Sequence, residues 1–170
     1  VNNPEEPTFE NTILAYDNAG QMLAQTELIF GMLCAAETNE RMQALQEQVM
    51  PLLSAHRDKI RLDEKLFARV KDVYDRRASL GLDAEQSRLL RKTYDAFVRS
   101  GALLDAGQKA RLKEINGELS LTAVKFGNNI LAENNNFALE LTADDLEGLP
   151  SGVRDAAREK AQAMGKGDKW

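Results

Sequence analysis

The run Glu6-Pro7-Thr8-Phe9-Glu10-Asn11-Thr12-Ile13 constrains the fold more than any other stretch of the chain. Proline is excluded from a helix interior, because it has no N–H to donate and its ring collides with the preceding turn. Threonine after it is a good N-cap, its hydroxyl accepting from an orphan N–H of the first turn. A helix is therefore expected to begin at Phe9 and to run to about Ala36. Along it Phe9, Ile13, Tyr16, Gly20, Leu23, Glu27, Phe30 and Cys34 recur at alternating steps of three and four, Glu27 being the one charged member. So long a stripe is buried only if other helices lie along it.

The following stretches offer such partners. Thr38-Asn39 supplies cap chemistry for a second helix carrying Met42, Leu45, Val49, Leu52, Leu53, His56 and Ile60, with a kink or break expected at Pro51. Two long helices joined by so short a loop must be antiparallel neighbours. Asp63 caps a third, with Leu66, Phe67, Val70, Val73 and Tyr74, ending at Gly81. Asp83 and Gln86 form a capping box for a fourth, whose buried face reads Leu89, Leu90, Thr93, Tyr94, Phe97 and Val98 before Ser100-Gly101. Leu103-Leu104-Asp105 staples and caps a fifth, with the stripe Leu112, Ile115, Leu119, Thr122, Phe126 and Ile130.

Asn134-Asn135-Asn136 breaks that helix, and Phe137-Ala138-Leu139-Glu140-Leu141 alternates as a short strand without a visible partner. Thr142 with Asp145 caps a turn through Leu146, and a last helix runs from Ser151 past Val153, Ala157 and Ala161 to Gly165. The expected class is all-α: an array of long antiparallel helices, as hairpins or a bundle, with one short β-strand over 137–141. Residues 1–170 read as a single helical region in which 134–170 is the less well anchored end.

Composition narrows function mainly by exclusion. A chain of 170 residues that is 43% hydrophobic can bury a core. Its net charge of −5, with Lys and Arg dispersed among Asp and Glu, argues against nucleic-acid and anionic-membrane partners. No apolar run approaches the roughly 20 residues that span a bilayer, and no signal peptide opens the chain, so it reads as soluble. Val1 and Lys169-Trp170 read as ends cut from something longer. The lone Cys34 excludes an internal disulfide and is expected to be a small buried hydrophobe.

Catalytic chemistry is not visible. A metallopeptidase helix needs two His one turn apart, with a Glu between them to polarise water, and this chain has His56 alone. On the apolar side of its helix, His56 is expected to be hydrogen-bonded and partly buried. No nucleophile sits in a strand-turn-helix elbow, and Gly165-Lys166-Gly167 lacks the context of a phosphate loop. Glu5-Glu6 and Asp144-Asp145 read as caps that answer helix dipoles. Asn128-Asn129, poor helix formers inside a helix, are the one pair that could face a cavity. No catalytic, cofactor-binding or metal-binding residue is assigned.

Read as a whole, the sequence resembles the thimet-oligopeptidase family of zinc metallopeptidases. The resemblance rests on Glu6 to Ile13, Met50-Pro51-Leu52-Leu53-Ser54-Ala55-His56, Leu66-Phe67-Ala68-Arg69-Val70, Arg88-Leu89-Leu90 and Phe97-Val98-Arg99-Ser100-Gly101-Ala102-Leu103-Leu104. Ile115-Asn116-Gly117-Glu118-Leu119-Ser120 and Gly148-Leu149-Pro150 continue it in the same order. Met50 to His56 and Phe126-Gly127-Asn128-Asn129-Ile130-Leu131 look more like the peptidyl-dipeptidase branch. The resemblance implies a mostly helical parent, cytoplasmic or periplasmic, whose two halves face each other across a channel. A His-Glu-x-x-His helix and a later Glu would hold zinc in the C-terminal half. This chain would be part of the N-terminal, non-catalytic half: a channel wall, without zinc and inactive alone, in an enzyme that removes C-terminal dipeptides from short peptides. Its partners would be those peptides and the missing catalytic half, and the surface left exposed could drive self-association. Composition and periodicity alone favour a different reading, a helical adaptor or protein-interaction module, and only the resemblance reverses that order.

Overall fold

The structure, a computed structural model, describes residues 2–170. The chain forms two compact units, the larger ending at Asn128 and the smaller covering Asn129–Trp170.

The expected cap at the start is present and doubled. Thr8 Oγ1 accepts from the Asn11 N–H at 3.1 Å, and Asn11 Oδ1 accepts from the Thr8 N–H at 2.9 Å, a reciprocal capping box. Helix α1 opens as a π-helical turn, Phe9–Leu14, and closes as an α-helical turn, Ala15–Asp17. It does not run on to Ala36. Gly20 adopts φ 78°, a left-handed conformation that only glycine takes without strain, and α2 (Gln21–Ala36) starts afresh after it. The seven-turn stripe is therefore cut in two. Its first part, Phe9 and Ile13, is buried, whereas α2 buries none of its side chains.

Helix α3 (Glu40–Arg61) begins where expected, with Asn39 Oδ1 accepting from the Met42 N–H at 3.0 Å. It passes through Pro51 without a break. α2 and α3 pack together, and Arg57 pairs with Glu27, the charged member of the first stripe. Asp63 caps α4 (Glu64–Asp75) through the Leu66 N–H at 2.7 Å, and a 3-10 turn, Arg77–Ser79, leads to Gly81. Asp83 and Gln86 cap α5 (Ala84–Arg99) reciprocally, as the spacing predicts.

The core lies where α1, α4 and α5 meet. Phe9, Ile13, Leu66, Phe67, Val70, Val73, Leu90 and Phe97 are buried there. Aromatic rings run through it: Tyr16 to Phe97 at 5.4 Å, Phe97 to Phe67 at 6.0 Å, Phe67 to Tyr94 at 5.9 Å, and Tyr94 to Tyr74 stacked at 3.9 Å between centroids. Such contacts add to simple area burial. Arg69 on α4 ties the chain's opening segment to this core. Its Nη1 donates to the carbonyls of Asn3 and Glu5 at 3.1 and 2.9 Å, and its Nη2 to Asn11 Oδ1 and Thr12 Oγ1 at 3.0 and 3.3 Å.

Helix α6 (Ala106–Asn136) is capped by Asp105, which accepts from the Gln108 N–H at 2.8 Å. The stripe expected to be buried along it faces outward: Ile115, Leu119, Phe126 and Ile130 are all exposed, Phe126 by 65%. Leu112 is the one member of that stripe that turns inward, together with Lys109, Asn116, Ser120 and Val124, one turn apart. Polar bonds orient this face, since Asn116 Nδ2 donates to Asp58 Oδ1 at 2.8 Å and Ser54 Oγ to the Asn116 carbonyl at 3.3 Å. Orientation here follows hydrogen bonding rather than apolar content.

In the smaller unit the helix absorbs the Asn134-Asn135-Asn136 run before it stops. The β-strand expected over 137–141 does not form, and the described chain is all-helical in its regular structure. The Phe137 N–H is taken by the Glu133 carbonyl at 2.8 Å, and of this segment Leu141 alone finds an extended partner, Trp170. A ladder needs a neighbouring run of backbone, and one pair does not supply it. Thr142 donates to Asp145 Oδ2 through its N–H and its hydroxyl, at 2.8 and 2.7 Å, closing the turn Ala143–Leu146. α7 (Ser151–Ala163) ends at Gly165, φ 74°.

Candidate functional site

The residues that could carry chemistry are dispersed. His56 is exposed on α3, at the edge of a hollow of about 630 Å3 lined with Tyr16, Ile60, Leu66 and Arg69, and makes no hydrogen bond among the described residues. The expected partly buried, hydrogen-bonded histidine is thus not found, because the apolar side of α3 is itself only half covered. Cys34 is half-buried on α2, where removal from water pushes its thiol above the ordinary range. Asn128 is half-buried and Asn129 exposed.

Of the candidate carboxylates, those of Glu6 and Asp145 have partners. Glu6 pairs with Arg76 at 3.2 Å, and Glu5 contributes its carbonyl to Arg69. Asp145 is held below the usual carboxylate value of 3.8 by the Thr142 hydroxyl and N–H. Asp144 stays exposed on the same turn.

A hollow of about 900 Å3 lies in the larger unit between the junction of α3 and α4 and the start of α6, lined by Asp58, Asp63, Glu64, Lys109 and Lys113. Lys109 is the most buried charged side chain among the described residues at 8% exposed, and its Nζ sits 3.1 Å from Glu64 Oε1. Each carboxylate here already has a partner: Asp58 holds Asn116, Asp63 caps α4, and Glu64 neutralises Lys109. A lysine committed to a carboxylate is a poor nucleophile. No group of three His, Cys, Asp or Glu side chains converges among the described residues. A zinc ion requires such a set, so these residues do not fit one.

What the surface does offer is uncovered apolar area. On α2 Met22 is 82% exposed, and Leu28, Ile29 and Met32 are exposed beside it, while α6 presents Ile115, Leu119 and Phe126. Large patches of this kind mark interaction sites, ligand grooves or aggregation-prone surface. No helix among the described residues is long and apolar enough to cross a membrane.

Set beside known proteins, this surface-rich, site-poor helical chain has peptidase relatives. It is 37% identical over 169 residues to the dipeptidyl carboxypeptidase of Escherichia coli K12, which covers 99% of this chain and 25% of that protein. It is 38% identical over 173 residues to the dipeptidyl carboxypeptidase of Salmonella typhimurium, covering 100% of this chain and 25% of that protein. A thimet-like oligopeptidase of Dictyostelium discoideum is 27% identical over 149 residues, 86% of this chain and 22% of its own length. No protein-family model matches the chain. The chain belongs to the thimet-oligopeptidase family of peptidases, and it spans about a quarter of the length of the dipeptidyl carboxypeptidases it matches.

Proposed function

We propose that this chain is a non-catalytic helical part of a zinc-dependent peptidase that removes dipeptides from the C-termini of short peptides. In that reading it forms one wall of the substrate channel and is inactive by itself. The observation that carries it is coverage: relatives named dipeptidyl carboxypeptidase align along 99–100% of this chain, and only 25% of each is matched. The apolar faces of α2 and α6 support it as well, since they have the character of surface that the rest of such an enzyme would cover. The zinc ligands and the attacking water would belong to residues outside these 170, and the present residues would act only by shaping access.

The test uses the intact parent protein. Given short peptides with free C-termini, it should release C-terminal dipeptides and stop when a chelator removes its metal. Cleavage from the N-terminus, or chelator-resistant activity, would overturn the reading.

A further inference from the structure

The smaller unit ends in a half-built contact. Leu141 and Trp170 exchange both backbone hydrogen bonds, the Leu141 N–H to the Trp170 carbonyl at 2.9 Å and the Trp170 N–H to the Leu141 carbonyl at 3.1 Å. Such mutual exchange between two residues is the hydrogen-bonded pair of an antiparallel ladder, and no parallel register produces it. Lys166 pairs with Glu140 and holds the two segments together from the flank. Arg158 lies over the Trp170 ring at 5.1 Å, fixing that residue. Beside the pair is a hollow of about 290 Å3 lined by Phe137, Leu139, Ala157, Ala161, Met164 and Trp170, with Phe137 76% and Leu139 69% exposed.

We infer that this hollow and the adjoining backbone form the docking site for the chain's own continuation beyond Trp170, which adds a short antiparallel pairing to residues 139–141. The inference rests on the reading that the chain is part of a longer peptidase, whose relatives are matched over 25% of their length. Antiparallel register fixes the partners from the Leu141–Trp170 pair. The first residue after Trp170 falls opposite Glu140, at a position without ladder bonds where side chains approach closest. The second falls opposite Leu139 and exchanges both backbone bonds with it. The pairing stops there on its donor side, because the Phe137 N–H already serves the end of α6. Pairing is absent within residues 2–170 because the residues that would supply the second strand are not among them. The physical drive is twofold: the Leu139 backbone groups gain partners, and two large exposed side chains gain cover.

The intact parent protein tests this. With Glu140→Cys and a cysteine at the first residue after Trp170, mild oxidation should yield a disulfide-linked peptide pair by mass spectrometry. Moving the second cysteine one residue further on should abolish it. In the unsubstituted protein, the Leu139 amide should exchange with solvent about tenfold more slowly than in this 170-residue chain, the effect of one added backbone hydrogen bond. Linkage at neither position or equally at both, or a Leu139 amide exchanging equally fast in both chains, would overturn the pairing while leaving family membership intact. A reading frame that stops at Trp170 would overturn the pairing together with the reading on which it rests.

Discussion

Replacing Arg69 by Met should loosen the opening of the chain by an amount the structure allows to be worked out. The guanidinium makes four hydrogen bonds, two to carbonyls of the exposed opening segment and two to Asn11 and Thr12 where the site is partly buried. Bonds from a charged donor are worth about 1.5 kcal/mol each at the lower end, and the two exposed ones add little because water competes. Freeing the long side chain returns as much as about 1.5 to 2 kcal/mol of rotamer entropy, although methionine gains a share of that loss again. Thr12, 3% exposed, keeps its bond to Asn11 Oδ1 at 2.8 Å and so is not orphaned. The net expectation is a loss of about 2 kcal/mol in urea unfolding with the slope unchanged, together with faster amide exchange from Thr8 to Ile13. Arg69→Lys should recover less than half, because a single ammonium cannot reach four acceptors in two directions. A loss under about 0.5 kcal/mol, or full recovery by lysine, would refute the claim that this fork anchors the start of the fold.

Other outcomes follow from the same packing. Phe97→Ala removes a ring that is 1% exposed and meets Tyr16 and Phe67, and should cost about 3 to 5 kcal/mol in chemical denaturation. Gly101 has φ 93° and a Cβ there would lie 2.7 Å from Leu112 Cδ2, so Gly101→Ala should lower stability by at least about 2 kcal/mol, read as a fall in the denaturation midpoint. Because Asp145 has a lowered pKa, its contribution is complete above the ordinary carboxylate value of 3.8 and fades as pH falls through the lowered one. Amide exchange in the turn Ala143–Leu146 should therefore quicken on the acid side, and Asp145→Asn should remove that dependence.

The elements proved legible where short-range chemistry decides them. The Thr8, Asn39, Asp63, Asp83 and Asp105 caps stand where spacing puts them, since a cap concerns residues three apart. Gly20 fits the stripe by position, but a glycine contributes nothing to a stripe and permits the left-handed turn that ends it. The α6 stripe differs for another reason. Periodicity identifies an apolar face without saying whether its partner is present, and here Asn116 bonds to α3 while Ile115, Leu119 and Phe126 stay exposed. The alternation at 137–141 likewise does not produce a strand, since of that segment Leu141 alone finds an extended backbone partner. No active site could be read from the residues, and the family likeness came from runs such as Met50 to His56 whose spacing has no chemical meaning by itself.

The most direct test of the central proposal, that these residues shape access without supplying catalytic chemistry, is a peptide-cleavage assay of this 170-residue chain with zinc supplied. The account predicts no dipeptide release and no stoichiometric zinc uptake, against turnover by the intact parent under the same conditions. Cleavage by the isolated chain that disappears with His56→Ala would contradict it.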